Sequence, residues 1–162
     1  MRNILFFQKE FLLEKATKPV LAGNQKFCNE SPYPILVNFQ IDEKLLDTDL
    51  ITPAAGVAVC RTIDFFYDEK GKKANPQIKW VNDIYLNKKK VCGILTEGIL
   101  NPKEGKISQV IIGIGVNLFE PKTGFPEEIS NIATSLFGKN VENPESVKYQ
   151  FVGKLLENLE KT

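Results

Sequence analysis

The chain has 162 residues, 43% of them hydrophobic and 25% charged, and carries a formal net charge of +1. That is enough for one domain with its own buried core and ordinary soluble composition, and so small a charge gives no electrostatic reason to expect nucleic acid or an anionic membrane as partner. Histidine is absent, which excludes imidazole general catalysis and the commonest metal ligand.

From the N-terminus, Ile4-Leu5-Phe6-Phe7 is too short for the core of an export signal, and no stretch approaches the ~20 apolar residues of a membrane span. The cytosol is the expected location. Ile4, Phe7, Phe11 and Leu12 share one helical face, so the spacing predicts an amphipathic helix over Asn3 to Lys15. Thr17 to Pro34 reads as a loop, punctuated by Pro19, Gly23, Asn24, Asn29 and Pro32. Ile35 to Ile41 is a strand, with Val37, Phe39 and Ile41 alternating against Asn38 and Gln40. Asp42 to Asp49 is a charged connection. Thr52 is the expected N-cap of a helix with Pro53 at its first position, and Ala54, Ala55, Val57, Ala58, Val59, Ile63 and Phe66 form a small-residue face able to approach a sheet closely. A loop over Asp68 to Pro76 follows.

The densest chemistry lies between Ile78 and Asn117, which reads as a meander of antiparallel strands. Gln77 to Trp80 is extended, Val81 to Asp83 breaks it, and Ile84 to Leu86 resumes. Asn87-Lys88 is a hairpin pair, since Asn tolerates the left-handed conformation that tight hairpins need. Lys90 to Leu100 is a long apolar run, Asn101 to Lys106 a second turn, and Ser108 to Asn117 the return strand. Lys88 and Lys89 read as a solvated hairpin tip. Beyond it, Pro121 to Pro126 is turn-rich, and Ile129, Ile132, Ala133 and Leu136 predict a helix over Glu127 to Phe137 ended by Gly138. Asn143-Pro144-Glu145 opens a last helix whose buried stripe is Val147, Phe151, Leu155 and Leu159. The three cysteines, Cys28, Cys60 and Cys92, lack metal spacing and read as buried thiols of a reducing compartment.

Three blocks in this region, Lys79-Trp80-Val81-Asn82-Asp83, Lys90-Val91-Cys92-Gly93-Ile94-Leu95-Thr96-Glu97 and Gly113-Ile114-Gly115-Val116-Asn117, resemble the catalytic core of biotin protein ligases. The family pattern is Lys-Trp-Pro-Asn-Asp, a lysine seven residues after the Asp, Gly-Ile-Leu-x-Glu, and Gly-x-Gly-x-Asn. The blocks occur in the family's order, and the resemblance extends from about Phe27 to Leu159. It implies an α+β fold of the class II synthetase type: a mixed, mostly antiparallel central sheet with helices packed on one face, forming a single domain over the whole chain. A dinucleotide reading of Gly113 and Gly115 fails, because the third glycine position holds Leu118.

The resemblance also implies the chemistry. Such enzymes join the biotin carboxylate to the α-phosphate of ATP, with Mg2+, and pass the biotinyl group to a lysine of a carboxylase's biotin carboxyl carrier domain. Lys79, Asp83 and Lys90 take the catalytic places: Lys79 beside the carboxylate and bridging phosphate, Asp83 toward the incoming lysine or the metal, Lys90 toward the nucleotide phosphates. Lys79, Gly93, Ile94 and Leu95 would meet biotin; Trp80, Asn82, Lys90, Gly115 and Asn117 would meet the nucleotide. Trp80 reads as core or adenine-side packing. A homodimer is compatible with the family. At the position of the family's Gly/Arg-rich phosphate loop this chain has Leu21-Ala22-Gly23-Asn24-Gln25-Lys26-Phe27, and its only arginines are Arg2 and Arg61. Lys26 is the one cation there, and a lysine lacks the bidentate fork of a guanidinium. Two other readings therefore stand beside the biotin ligase: a non-catalytic module of the same fold that binds ligand, a carrier domain or itself, and a lipoate–protein ligase.

Overall fold

The computed structural model describes residues 13–15, 34–42, 48–68, 71 and 73–162. Six strands, β1 (Leu13–Lys15), β2 (Pro34–Asp42), β3 (Gln77–Lys79), β4 (Asp83–Leu86), β5 (Lys89–Asn101) and β6 (Lys106–Asn117), form one sheet in the order β1-β2-β6-β5-β4-β3. Every neighbouring pair of strands is antiparallel. The helices are α1 (Thr48–Asp68), the single turn α2 (Glu127–Ser130) and α3 (Pro144–Glu160). The α+β expectation holds, and the meander from Gln77 to Asn117 is as the turn residues require. Asn87 and Lys88 both have positive φ, 51° and 65°, the backbone of the two-residue turn that matches strand twist.

Alternation explains which face is covered. Ile84, Leu86, Cys92, Ile94, Val110, Ile112, Ile114 and Val116 are buried in one cluster with Ala55, Ala58, Val59 and Ile63 of α1 and Phe151, Leu155 and Leu159 of α3. Both long helices thus lie on the same side of the sheet. Gly56 brings α1 close: a Cβ there would meet Ile78 Cδ1 at 3.3 Å and Ile84 Cδ1 at 3.6 Å. The window Leu50–Asp68 is long and apolar enough to cross a membrane by length and composition, with mean hydropathy 1.2. This corrects the expectation that no stretch comes near that length. Its apolar side is spent on the sheet and α3. A buried bond from Asn158 Nδ2 to Thr62 Oγ1, 3.0 Å, joins α1 to α3, and Thr62 Oγ1 in turn donates to the Ala58 carbonyl at 2.8 Å.

Four local expectations need correction. Leu13–Lys15, assigned to the end of an N-terminal helix, pairs with Ile35, Leu36 and Val37 as an edge strand; the rest of that helix, most of the loop over Thr17 to Pro34, Cys28 and Lys26 lie outside the described residues. Helix α1 begins at Thr48, so Pro53 sits inside it and Thr52 is not its cap. Thr52 Oγ1 instead bonds Thr96 Oγ1 of β5 at 2.7 Å, a tertiary tie invisible to cap statistics. Replacing Thr52 by valine should cost about 1 kcal/mol by denaturant unfolding; a loss within error would mean the Thr96 hydroxyl finds water instead.

The third correction is the helix over Glu127 to Phe137, which stops at Ser130. From there the chain runs as a strap across the end of the sheet. Ile132 N and Ala133 N still donate to Ile129 O, and the backbone then turns to the sheet: Ile132 O accepts from Lys90 N, Thr134 N donates to Lys90 O, Leu136 N to Asn117 O and Phe137 N to Leu118 O. Of the residues at helical spacing, Ile132 is exposed, while Ile129, Ala133 and Leu136 are buried. The fourth concerns Lys89, described with the site. Helix α3 has Asn143 as N-cap accepting from Ser146 N, as expected, and of its predicted stripe Phe151, Leu155 and Leu159 are buried while Val147 is partly buried.

Candidate active site

The face of the sheet opposite α1 and α3 is where the sequence blocks converge. In an antiparallel sheet, directly paired residues share a face. Lys79 pairs with Asp83, Asp83 with Gly93, Gly93 with Gly115, and Gly115 with Leu36. One cross-strand row thus carries two of the expected catalytic residues and two of the glycines. At about 4.8 Å per strand the row from Lys79 to Gly115 spans about 14 Å. The next row pairs Leu95 with Gly113 and Gly113 with Asn38. Gly93 and Gly115 are buried and Gly113 is part-exposed; lacking side chains, they let a ligand that enters between strand and cover approach strand N–H and C=O groups closely.

Lys90 reaches this face only because the register slips. Ile84 pairs with Cys92 but Tyr85 pairs with Lys90, leaving Val91 as the extra residue of a bulge. Simple alternation would put Lys90 with Cys92, on the helix side. The bulge re-aims it. Its Nζ then meets Asp83 Oδ1 at 2.5 Å, with the two side chains only 13% and 22% accessible. A pair so far withdrawn from water is poorly screened by salt, and removing one partner strands the other charge at a cost above that of breaking a surface pair. With Lys79 in the same row, two ammonium groups face one carboxylate, leaving one positive charge. That is an anion site in sign.

Lys79 is exposed at the edge. Its Nζ donates to Tyr85 Oη at 3.3 Å and lies 5.1 Å from the centre of that ring. Tyr85 was overlooked in the sequence, although its place two residues after Asp83 on a strand puts both on one face. Asn82 closes the β3–β4 turn onto β5: its Nδ2 donates to Ile94 O at 3.1 Å and its O accepts from Ile94 N at 2.8 Å. The Trp80–Val81 peptide is cis, and Trp80 is 78% exposed, which removes the core reading of that ring. Ile94 is buried against the helices, so only its backbone stands near the open face, whereas Leu95 is 60% exposed on it.

Asn117 is buried and its Nδ2 donates to Thr134 O at 3.1 Å. Thr134 N donates to Lys90 O, so the strap joins the Lys90 and Asn117 ends of the two strands. Thr134 is a second residue the sequence did not single out, because its role is set by backbone bonds to distant strands. Lys89 overturns the solvated-tip reading: its Nζ donates to Ser130 O at 2.7 Å from a part-buried position. Lys88 is exposed, as expected.

Burial pushes the Cys60 thiol up to about 11, with Asp64 adding to the shift, and drives Cys92 higher still. Both stay protonated at neutral pH and neither is a ready nucleophile. Among the described residues no group of three or more His, Cys, Asp or Glu side chains could hold a metal ion.

Over residues 33–117, more than half its length, the chain matches the Biotin/lipoate A/B protein ligase family. It belongs to that family. Similar curated relatives include the bifunctional ligase/repressor BirA of Bacillus subtilis (strain 168), 42% identical over 95 residues that make up 59% of this chain and 27% of BirA. The BirA of Escherichia coli (strain K12) is 36% identical over 69 residues, 41% of this chain and 21% of that protein. The chain thus spans about a quarter of the length of these relatives. Among solved structures, the biotin protein ligase of Aquifex aeolicus in complex with biotin and ATP superposes with a TM-score of 0.63 at 26% identity, covering 93% of this chain and 60% of that one. The family match ends at Asn117, the last residue of β6.

Proposed function

We propose that this chain forms the catalytic part of a biotin–protein ligase. It would join biotin to ATP as biotinyl-adenylate and transfer the biotinyl group to a lysine of a biotin carboxyl carrier domain of a carboxylase. The observation that carries this reading is the cross-strand row Lys79–Asp83–Gly93–Gly115 with Lys90 brought onto it by the bulge.

Biotin lies along the glycine row beside Leu95, its carboxylate toward the lysine end. That oxygen attacks the α-phosphorus, and the bond to the bridging oxygen breaks, its electron pair leaving on pyrophosphate. Negative charge grows on the non-bridging oxygens in this step. Ammonium groups held in place beside the phosphate stabilise that charge with little reorganisation. Lys79, tethered at the edge by Tyr85, meets the carboxylate and bridging oxygen; Lys90 meets the phosphates. In the second step the neutral carrier lysine's nitrogen attacks the biotinyl carbonyl carbon, the bond to the phosphate oxygen breaks with its electron pair leaving on AMP, and the amine's proton passes to water, with Asp83 accepting a hydrogen bond from the incoming amine. Asn117 and Trp80 stand on the nucleotide side. The described residues offer Mg2+ no cage, only the Asp83 carboxylate, which fits an ion carried in on the triphosphate and held mainly by phosphate oxygens and water. Bound there, it would offset phosphate charge.

Calorimetric titration with biotin and then with a non-hydrolysable biotinyl-adenylate mimic tests the reading. The mimic should bind about a hundredfold tighter, because it engages both halves of the row. Heat with biotin alone and no gain from the mimic would leave a ligand-binding module without phosphate grip; no heat with either would overturn the proposal. Leu95→Asp should weaken biotin binding about tenfold while changing stability by no more than ~0.5 kcal/mol, since the side chain is exposed. Unchanged affinity would move biotin away from this part of the sheet.

A further inference from the structure

Lys89 and Lys90 are neighbours on β5 and, as the pleat demands, leave the strand on opposite sides. Lys89 pairs with the buried Leu86 on the helix-covered face, and Lys90 with Tyr85 on the open face. The backbone of Lys90 is held on both sides by the strap, Lys90 N donating to Ile132 O at 2.8 Å and Lys90 O accepting from Thr134 N at 2.9 Å. Just before Ile132 the strap leaves α2, whose last residue, Ser130, presents its carbonyl to Lys89 Nζ at 2.7 Å. An ammonium on a helix's terminal carbonyl makes a charge-assisted bond and complements the local dipole. The same strap, through Thr134 O, receives the Asn117 side chain.

We propose that Lys89 is a positioning residue for the nucleotide half of the reaction: by latching Ser130 it fixes the strap against β5, and the strap in turn fixes where Lys90 stands opposite Asp83. The consequence for catalysis rests on the ligase reading above, whereas the latch itself does not. Lys89 touches no substrate. Its loss should let the Lys90 ammonium wander relative to the phosphates, while the rows Gly93–Gly115 and Leu95–Gly113, built on strand register, stay as they are.

The test uses Lys89→Met, which keeps the apolar stem, and Lys89→Arg, which keeps the donor. Hydrogen exchange should run about tenfold faster at the Lys90 and Thr134 amides in Lys89→Met, the loss expected for one charge-assisted bond, with α1 amides unchanged and with both amides returned to normal by Lys89→Arg. In biotin-dependent ATP–pyrophosphate exchange, Lys89→Met should raise the KM for ATP about tenfold and leave biotin affinity alone. Normal protection of the two amides in Lys89→Met would overturn the latch, and so would faster exchange spread equally through α1 and α3, which would mark an ordinary loss of stability. Altered amides with an unchanged KM for ATP would overturn the positioning role. If the wild-type chain shows no exchange activity at all, the ligase reading falls and the amide protection still decides the latch.

Discussion

Lys90→Met should lower biotin-dependent ATP–pyrophosphate exchange by about 10²–10³-fold, the usual effect of removing one preorganised group from a site of developing negative charge. The same change leaves Asp83, only 22% accessible, without its partner at 2.5 Å. Unpairing a half-buried carboxylate should cost about 1–3 kcal/mol, between the values for exposed and fully buried pairs. The two consequences separate in a double variant. Lys90→Met combined with Asp83→Asn removes the stranded charge, so stability should recover in part while activity stays low. Lys88→Met, at the exposed hairpin tip, should change neither. A Lys90→Met enzyme within threefold of wild-type rate would sink the assignment of Lys90 to the phosphates.

The largest effect on stability should come from Phe151→Ala. This ring is fully buried in α3 and stacks on Phe66 of α1, centroids 5.6 Å apart; Phe66 in turn meets Phe137 of the strap edge-on at 5.8 Å. Truncation removes the ring contact that joins α3 to α1, leaves Phe66 its edge-on contact with Phe137, and opens a cavity among buried neighbours. It should cost about 3–5 kcal/mol and, at about 2–4 °C per kcal/mol for a chain of this size, lower the melting temperature by roughly 6–20 °C. Phe65, exposed beneath the Lys154 ammonium at 4.3 Å from its centre, is the matched control, and its truncation should cost about 1 kcal/mol or less. Equal losses at the two positions would mean that the α1–α3 seam is not where the fold is held.

Lys90 and Lys89 show how far the sequence carries the site. The spacing of seven residues after Asp83 picks out Lys90 as a candidate, yet strand alternation alone would bury its side chain among the helices. The one-residue slip at Val91 brings it to Asp83, and nothing local to Lys88-Lys89-Lys90 announces that slip. Lys89 was equally unreadable, because its partner is a carbonyl 41 residues further along the chain.

What the sequence determined by itself is whatever short-range chemistry dictates. The Asn87-Lys88 turn, the alternation along β2 and β6, the Asn143 cap and the buried stripe of α3 follow from backbone preference and hydrophobic period, and the three blocks around Lys79, Gly93 and Gly115 placed the chain beside its family. Only the tertiary structure decided the rest: Thr52 bonding Thr96 instead of capping α1, the end of α2 at Ser130, and the bulge that aims Lys90. In the first two cases the deciding partners lie in other elements of the fold, and the bulge is a matter of how β4 and β5 pair. Bonds between segments distant in sequence form only when the sheet is assembled, and they outweigh the few tenths of a kcal/mol per residue by which local propensity prefers one conformation.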